Sequence, residues 1–393
     1  MSEPASRFEG VRKVLVIKLR HIGDVLLTVP VFRALRETFP GSHIAALVNS
    51  GTEEVLAGNP LVDEVLVFDR GIKGLNPLSR LAREASFLRS VRAGGFDMTV
   101  DLTSGDRAAL ISLASGARYR LASDPGGKGF AGKKRLYTHL APHPGPRDRR
   151  GHMVLQNLAV VRHFGIDTRD LRVDFFIPDE ARASARRALD EAGVRDEDIL
   201  VHVHPTSRWL FKCWRDEHTA QVIDWLSGQG ARVAVTSSPS EREMERARGV
   251  MALVKSTGVV DLCGRTSIKE LAAVSERADA FFGVDSAPMH IAAAVGTPVV
   301  ALFGPTWAPF WGPWDNGGPE TQYAARSGLQ VSGDHTVLQE GYECVPCGMD
   351  GCGGSKRSRC LEDISPEEVK RALAEKLRKK AAGSGGPGGP GWA

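Results

Sequence analysis

The stretch Val14-Leu-Val-Ile-Lys18-Leu-Arg20-His21-Ile-Gly23-Asp24-Val-Leu-Leu-Thr28 decides the fold. An apolar run of strand length passes straight into a short polar loop. Gly23 is placed to let the backbone turn and Asp24 to open a helix. A strand without polar alternation belongs in a parallel sheet covered by helices on both faces. The alternation continues outward. Val14–Lys18, His43–Val48, Val62–Phe68, Phe96–Leu102 and Tyr119–Ala122 read as strands, and Val25–Thr38, Pro77–Val91, Arg107–Ala114 and Met153–Phe164 as helices. A break follows at Asp167–Pro178, after which Asp179 suits a helix cap. The rhythm then restarts with strands Ile199–His204, Arg232–Thr236, Val259–Leu262, Ala280–Val284 and Val299–Phe303. Helices Glu217–Ser227, Glu241–Val250, Ser267–Arg277 and Pro288–Val295 fall between them.

This pattern predicts an α/β chain of two Rossmann-like, doubly wound domains facing each other across a cleft, with ligands at the carboxyl ends of the strands. The expected divisions are an N-terminal domain over residues 1–178, a C-terminal domain over 179–343, a cysteine-bearing segment with a terminal helix over 344–381, and a disordered Gly/Pro tail over 382–393.

At 393 residues, with 42 % hydrophobic and 25 % charged residues, the chain is long enough for two large cores, and it has no apolar run of membrane-spanning length. Glu3, Arg7 and Glu9 stand where a signal peptide needs an apolar core, which predicts a cytoplasmic protein. A net charge of +4 is too small for a whole-protein nucleic-acid footprint, so no nucleic-acid partner is expected. Charge is concentrated locally instead. Ala117–Gly151 carries nine cations against Asp124 and Asp148, and its Gly and Pro content predicts a mobile loop, either simply solvated or docking an acidic acceptor. Gly127-Lys-Gly-Phe-Ala-Gly132 fits G-x-G-x-x-G but lacks the strand before and helix after that a dinucleotide site needs.

Three segments carry chemistry. Asp24 is either a helix cap or a general base held at the carboxyl end of the first strand. In Gly283-Val-Asp285-Ser286-Ala287-Pro288-Met-His290, Ser286 suits an N-cap, Pro288 suits the first turn, and the small residues leave amides open to phosphate. His290 either donates to the same phosphate or faces the core. In His204-Pro-Thr206-Ser207-Arg-Trp-Leu-Phe-Lys212-Cys-Trp214, two hydroxyls and a lysine near a strand end suit a diphosphate. Glu241, after Ser237-Ser-Pro-Ser240, is either a ribose-binding carboxylate or a first-turn acid. Cys344-x2-Cys347-x4-Cys352-x7-Cys360 has spacing that suits a structural zinc site, whereas Cys213 and Cys263 read as isolated buried thiols. Trp307, Phe310, Trp311 and Trp314 either stack on a ligand or pack a loop.

Taken together, Lys18-Leu-Arg-His-Ile-Gly-Asp24-Val-Leu-Leu-Thr28, Phe211-Lys-Cys-Trp214 and Phe282–Val295 resemble the lipopolysaccharide heptosyltransferases, inverting glycosyltransferases of GT-B fold. The likeness is greatest to the heptosyltransferase III branch. It implies an ADP-heptose donor and a lipid A-linked inner-core oligosaccharide acceptor, with peripheral contact at the inner membrane surface. It also implies Asp24 as general base and Lys212 on the leaving diphosphate. Donor contacts then fall to Thr206, Ser207, Lys212, Glu241, Asp285, Ser286, Ala287 and His290. Acceptor contacts fall to Arg20, His21, Arg118, Arg120 and His152. No Asp-x-Asp pair ends a strand, so metal-independent transfer is expected, with no cofactor required for catalysis. The rivals are a non-catalytic nucleotide-sugar-binding module, a transferase of the same fold using another nucleotide-sugar, and an NAD-dependent oxidoreductase. Leu19-Arg-His-Ile-Gly-Asp24 supplies no dinucleotide fingerprint for the last of these.

Overall fold

The computed structural model describes residues 7–74, 76–143 and 151–383. Residues 1–6, the cations Arg147, Arg149 and Arg150, and the tail from Ser384 onward lie outside the described residues. The chain divides into two compact units, Met1–Phe176 and Ile177–Ala393. No helix among the described residues is long and apolar enough to cross a membrane.

The first unit is a six-stranded, wholly parallel sheet. Its strands are β1 (Lys13–Lys18), β2 (His43–Asn49), β3 (Glu64–Phe68), β4 (Met98–Asp101), β5 (Tyr119–Ser123) and β6 (His139–Ala141), in spatial order β3-β2-β1-β4-β5-β6. Every residue of β1 after Lys13 is buried, as its unbroken apolar run requires. Leu15 and Ile17 pack with Leu47, Phe68, Val91 and Ile111 on one face, and alternation sends Val14 and Val16 to the other. The helix expected over Val25–Thr38 is two: α1 (Ile22–Leu26) and α2 (Val29–Thr38). Pro30, with no N–H to donate and a ring that would strike the carbonyl of Leu26, explains the interruption. Helices α3 (Pro77–Ala93), α4 (Asp106–Ala114) and α5 (Met153–Arg162) complete the unit. The segment expected as a break is strapped down. Buried Arg33 donates to the carbonyls of Asp170 (2.9 Å) and Arg172 (2.7 Å) and pairs with the carboxylates of Asp170 and Asp174.

The second unit repeats the design with β7 (Leu200–His204), β8 (Arg232–Val235), β9 (Val259–Asp261), β10 (Ala280–Val284), β11 (Val299–Phe303), β12 (Gly328–Ser332) and β13 (His335–Gln339). Their order is β12-β13-β11-β10-β7-β8-β9, parallel except for β12. Its helices are α6 (Asp179–Glu191), α7 (Asp216–Gly228), α8 (Glu241–Leu253), α9 (Ile268–Arg277), α10 (Ala287–Ala294), α11 (Ala308–Trp311), α12 (Arg359–Glu362) and α13 (Pro366–Gly383). Pro178 rather than Asp179 occupies the cap of α6, with Asp179 first inside the helix. The terminal segment is part of this core: Leu361, Ile364, Val369, Leu373 and Leu377 join the apolar cluster under β7 and β8, and the Trp214 indole donates to the Ile364 carbonyl at 3.2 Å. Helix α13 also runs two residues into the stretch expected to be disordered.

Inside this unit a line of hydrogen bonds runs from α9 through β7 and the end of β8 to α8. His202 bonds Ser275 (2.8 Å) and Thr236 (2.7 Å). His204 bonds the same Thr236 hydroxyl (2.8 Å) and lies 3.4 Å from Thr206, which donates to Glu243 at 3.1 Å. Burial pulls both imidazoles down to about 3, with the neighbouring His204 adding to the effect on His202. An unfolded histidine binds its proton near pH 6.5 while these folded ones resist it, so the unfolded state gains protons as pH falls through that window. Stability is therefore expected to fall between about pH 6.5 and about pH 3, by on the order of 1.4 kcal/mol per pH unit for each histidine. Urea unfolding midpoints across that range check this. A midpoint flat with pH would show that the imidazoles are already hydrated and chargeable.

Candidate active site

In an open parallel sheet, ligands collect outside the carboxyl ends of the two strands where the winding order reverses. Those strands are β1 and β4 in the first unit, and β7 and β10 in the second.

In the first unit the loops after β1 and β4 are laced together. The Leu19 amide donates to Thr103 Oγ1 (2.8 Å), Arg20 donates to the Thr103 carbonyl (3.0 Å), and the Asn49 side-chain amide donates to the Arg20 carbonyl (3.1 Å). Asp101, fully buried, accepts from the Thr103 amide (2.7 Å), the Ser104 amide (3.1 Å) and the Tyr137 hydroxyl; burial raises its carboxyl above the ordinary range. Ser104 is held at φ +57, an unusual conformation for a side chain-bearing residue, fixed further by Lys133 Nζ on its carbonyl at 2.8 Å. The rim of this site is thus rigid before any ligand arrives.

Asp24 is the third residue of α1, half-buried, and its Oδ2 accepts from the His21 amide at 3.4 Å. It does not open the helix: His21 is the cap, and Gly23 lies buried inside the turn. The cap and base readings are therefore compatible, because the long bond to His21 leaves carboxylate lone pairs unused. Sequence reasoning missed Lys18. Its ammonium is buried, donating to Asn157 Oδ1 (2.9 Å) and the Leu102 carbonyl (3.1 Å), while Asn157 donates to the Leu27 carbonyl at 3.0 Å. Burial pulls Lys18 down to about 8; Arg20 pushes the same way, and Asp24 and Asp101 oppose it. A lysine closing an otherwise apolar strand was the available signal.

Of the expected acceptor contacts, Arg20 and His21 are exposed beside Asp24. The structure does not bring the others there. Arg118 and Arg120 sit at the amino end of β5, Arg118 over the Tyr119 ring and Arg120 donating to the Leu136 (2.7 Å) and Ala117 (2.8 Å) carbonyls. His152 is buried as the cap of α5, its Nδ1 accepting from the Val154 amide at 3.3 Å. The stretch expected to be a mobile loop is largely built: it supplies β5, β6 and a helical turn at Lys133–Leu136, with Lys133 buried and paired with Asp106 at 3.2 Å. The short polar β6 gave too little apolar pattern to be read.

In the second unit, Lys212 ends the short turn Leu210–Lys212 and donates to Asp285 Oδ2 at 2.6 Å. Asp285 is almost wholly buried and also accepts from the Thr306 hydroxyl at 2.6 Å. Gly283 makes this junction possible, since a Cβ there would lie 2.8 Å from the His204 carbonyl. Ser286 caps α10 and Ala287 starts it, as expected, but the Ser286 hydroxyl is buried without a hydrogen-bond partner among the described residues. His290 is buried one turn inside. Thr206 and Ser207 are buried at the end of β7. Glu241 is exposed; the carboxylate beside Thr206 is Glu243, buried and also accepting from the Ser240 hydroxyl at 3.3 Å. The capping-box pattern Ser240-x-x-Glu243 was the signal for it.

Cys344, Cys347, Cys352 and Cys360 border one cavity of about 270 Å³, and burial, together with the other three thiols, pushes Cys360 up to about 12. No group of three His, Cys, Asp or Glu side chains among the described residues is arranged to hold a metal. Cys213 and Cys263 are buried, their thiols pushed up by burial to about 11 and about 12. The aromatic turn packs on itself, Trp307 stacked on Phe310 at 5.6 Å with Trp314 buried.

Residues 84–321 match the family model of glycosyltransferase family 9 (heptosyltransferase). Lipopolysaccharide heptosyltransferase 3 of Escherichia coli (strain K12) is 33 % identical over 296 residues, covering 75 % of this chain and 83 % of that protein. A family 9 glycosyltransferase from Veillonella parvula DSM 2008 superposes with a TM-score of 0.75 at 23 % identity, over 94 % of this chain and 97 % of that one. The E. coli heptosyltransferase WaaC with ADP-2-deoxy-2-fluoro heptose gives 0.65 at 18 % identity, over 92 % and 99 %. These structures share the GT-B fold of two Rossmann-like domains seen here. With the family model matching more than half of this chain and a relative one-third identical across most of both chains, this chain belongs to glycosyltransferase family 9, the heptosyltransferases.

Proposed function

We propose that the protein transfers L-glycero-D-manno-heptose from ADP-heptose to the inner core of lipopolysaccharide, with inversion at the anomeric carbon and without a metal ion. The observation that carries this is Lys212, held by buried Asp285, itself bonded by the Thr306 hydroxyl, at the β7/β10 reversal beside the amides that open α10. A cation next to a helix start is an anion site by construction. The relatives support the substrates: one is named a lipopolysaccharide heptosyltransferase, and another is solved with a fluorinated ADP-heptose.

In this mechanism an acceptor hydroxyl attacks the anomeric carbon while the bond to the diphosphate oxygen breaks and ADP departs. Asp24 takes the hydroxyl proton. The buried Lys18 ammonium and the Asp24 carboxylate lie within electrostatic reach of each other. Lys212, Ser286 and the amides at Ala287 take the charge growing on the diphosphate, with His290 one turn behind. Thr206 and Ser207 complete the phosphate side, and Glu241 reaches the ribose hydroxyls. Arg20 and His21 meet the acidic acceptor beside Asp24. Charges fixed in advance stabilise a leaving diphosphate without reorganisation, so no step is assigned to a metal. The four thiols likewise have no step.

Incubation with ADP-heptose and a heptose-deficient core oligosaccharide is expected to add one heptose by mass, with an anomeric linkage opposite to the donor's. A product of retained configuration would sink the single displacement. Transfer only from another nucleotide-sugar would sink the donor assignment.

A further inference from the structure

Single exposed leucines are ordinary, but clusters are not. Leu78 and Leu81 on α3, Leu110 and Leu113 on α4, and Phe130 make up five of the twelve large apolar side chains most exposed among the described residues. They fall on neighbouring elements: α3 packs on α4, and α4 packs on the turn Lys133–Leu136. Phe130 follows Gly129, which abuts the first residue of α4 so closely that a Cβ would lie 2.1 Å from Asp106 Oδ1.

The charge on the same elements is one-sided. Helices α3 and α4 carry five arginines against Glu84 and Asp106, and the turn adds Lys133, Lys134 and Arg135. The acids are already engaged: Glu84 with Arg80 (3.4 Å) and Arg107 (3.3 Å), Asp106 with Lys133 (3.2 Å). Along α3, Leu78, Leu81, Arg89 and Arg92 fall on one side at helical spacing, opposite the inward-facing Phe87 and Val91.

Topology places the patch usefully. Helix α4 starts just after the carboxyl end of β4, and the amino half of α3 follows the carboxyl end of β3. Leu78, Leu81 and the start of α4 therefore rim the same sheet edge that carries Asp24.

We propose that this face of the first unit, the outer sides of α3 and α4 with the Lys133–Leu136 turn, docks on an anionic phospholipid surface. The leucines enter the interface, and the exposed Arg89, Arg92, Lys134 and Arg135 meet the headgroups. The occupant follows from the pairing of exposed aliphatic side chains with excess positive charge. It rests on the assignment of a lipid-anchored acceptor above, since docking would bring such an acceptor to the edge bearing Asp24.

The test is flotation of the full chain with vesicles of phosphatidylethanolamine containing phosphatidylglycerol, and separately with pure phosphatidylcholine. The protein is expected to float with the anionic vesicles only, and to be released by raised salt. Leu78→Asp with Leu81→Asp, or Arg89→Glu with Arg92→Glu, should each lower binding at least about tenfold. All four positions are exposed, so folding and ADP affinity should stay at the parental level. Transfer to a soluble, delipidated acceptor should be unchanged, while transfer to acceptor embedded in anionic vesicles should fall. Equal binding by parent and variants, or no vesicle binding by a parent active on soluble acceptor, overturns the docking face while leaving the transferase assignment intact. A self-association lost in the variants without any vesicle binding would assign the patch to a second copy of the chain instead. A parent that floats but transfers no heptose would overturn the transferase assignment alone.

Discussion

Asp24→Asn lowers heptosyl transfer at least about a hundredfold and leaves ADP affinity within about twofold of the parent, because only proton acceptance is removed. The substitution is nearly isosteric. An asparagine Oδ1 still accepts from the His21 amide, so the half-buried start of α1 keeps that 3.4 Å bond, which is long and has little to lose. Lys18 keeps Asn157 and the Leu102 carbonyl, so the strand end stays in place. Steady-state transfer and calorimetric ADP titration on the same preparation separate chemistry from binding. Turnover near the parental rate would remove Asp24 as the base and leave it only the first-turn partner of the His21 cap.

Lys212→Ala has a double consequence. ADP affinity should fall about 10- to 100-fold, the usual range for losing a hydrogen bond between charged groups. Stability should fall as well, because Asp285 is left nearly buried with Thr306 alone for a partner. Pairing Lys212→Ala with Asp285→Asn separates the two. The amide carries no charge to strand, so the thermal midpoint should recover while ADP binding stays weak. ADP affinity that recovers with stability would mean that Lys212 acts only by holding Asp285, and direct contact with diphosphate would be rejected.

How much of this could be read from residues alone depended on whether the signal was local. The central strands are unbroken apolar runs, and Ala280–Val284 and Val299–Phe303 fall where the pattern put them. Three short strands, β6, β12 and β13, did not show. β12 and β13 are short and half polar, although Gly333-Asp334 between them is a two-residue hairpin signature, with Gly333 at φ +51. The site divides similarly. Asp24, Lys212, Asp285 and Ser286 sit at strand–helix junctions, where sequence order alone places them at the carboxyl edge. Arg118 and Arg120 were judged by charge density, which is blind to the end of the strand on which a residue sits. Lys18 and Glu243 were missed because a buried charge is defined by partners distant in sequence, Asn157 for one and Thr206 for the other.

The chain of hydroxyls and imidazoles from Ser275 to Glu243 has a sense as well as a path. A carboxylate that accepts the Thr206 hydroxyl proton leaves that oxygen able only to receive from His204. Neutral His204 then carries its hydrogen on Nε2 and accepts from Thr236 through Nδ1; His202 follows in the same tautomer, and Ser275 gives the first proton. Five successive dipoles therefore align toward the sheet's working edge, like compass needles set by a single magnet. Replacing Glu243 by a donor would turn every one of them around, and the nitrogen shifts of two buried rings would report it from the interior.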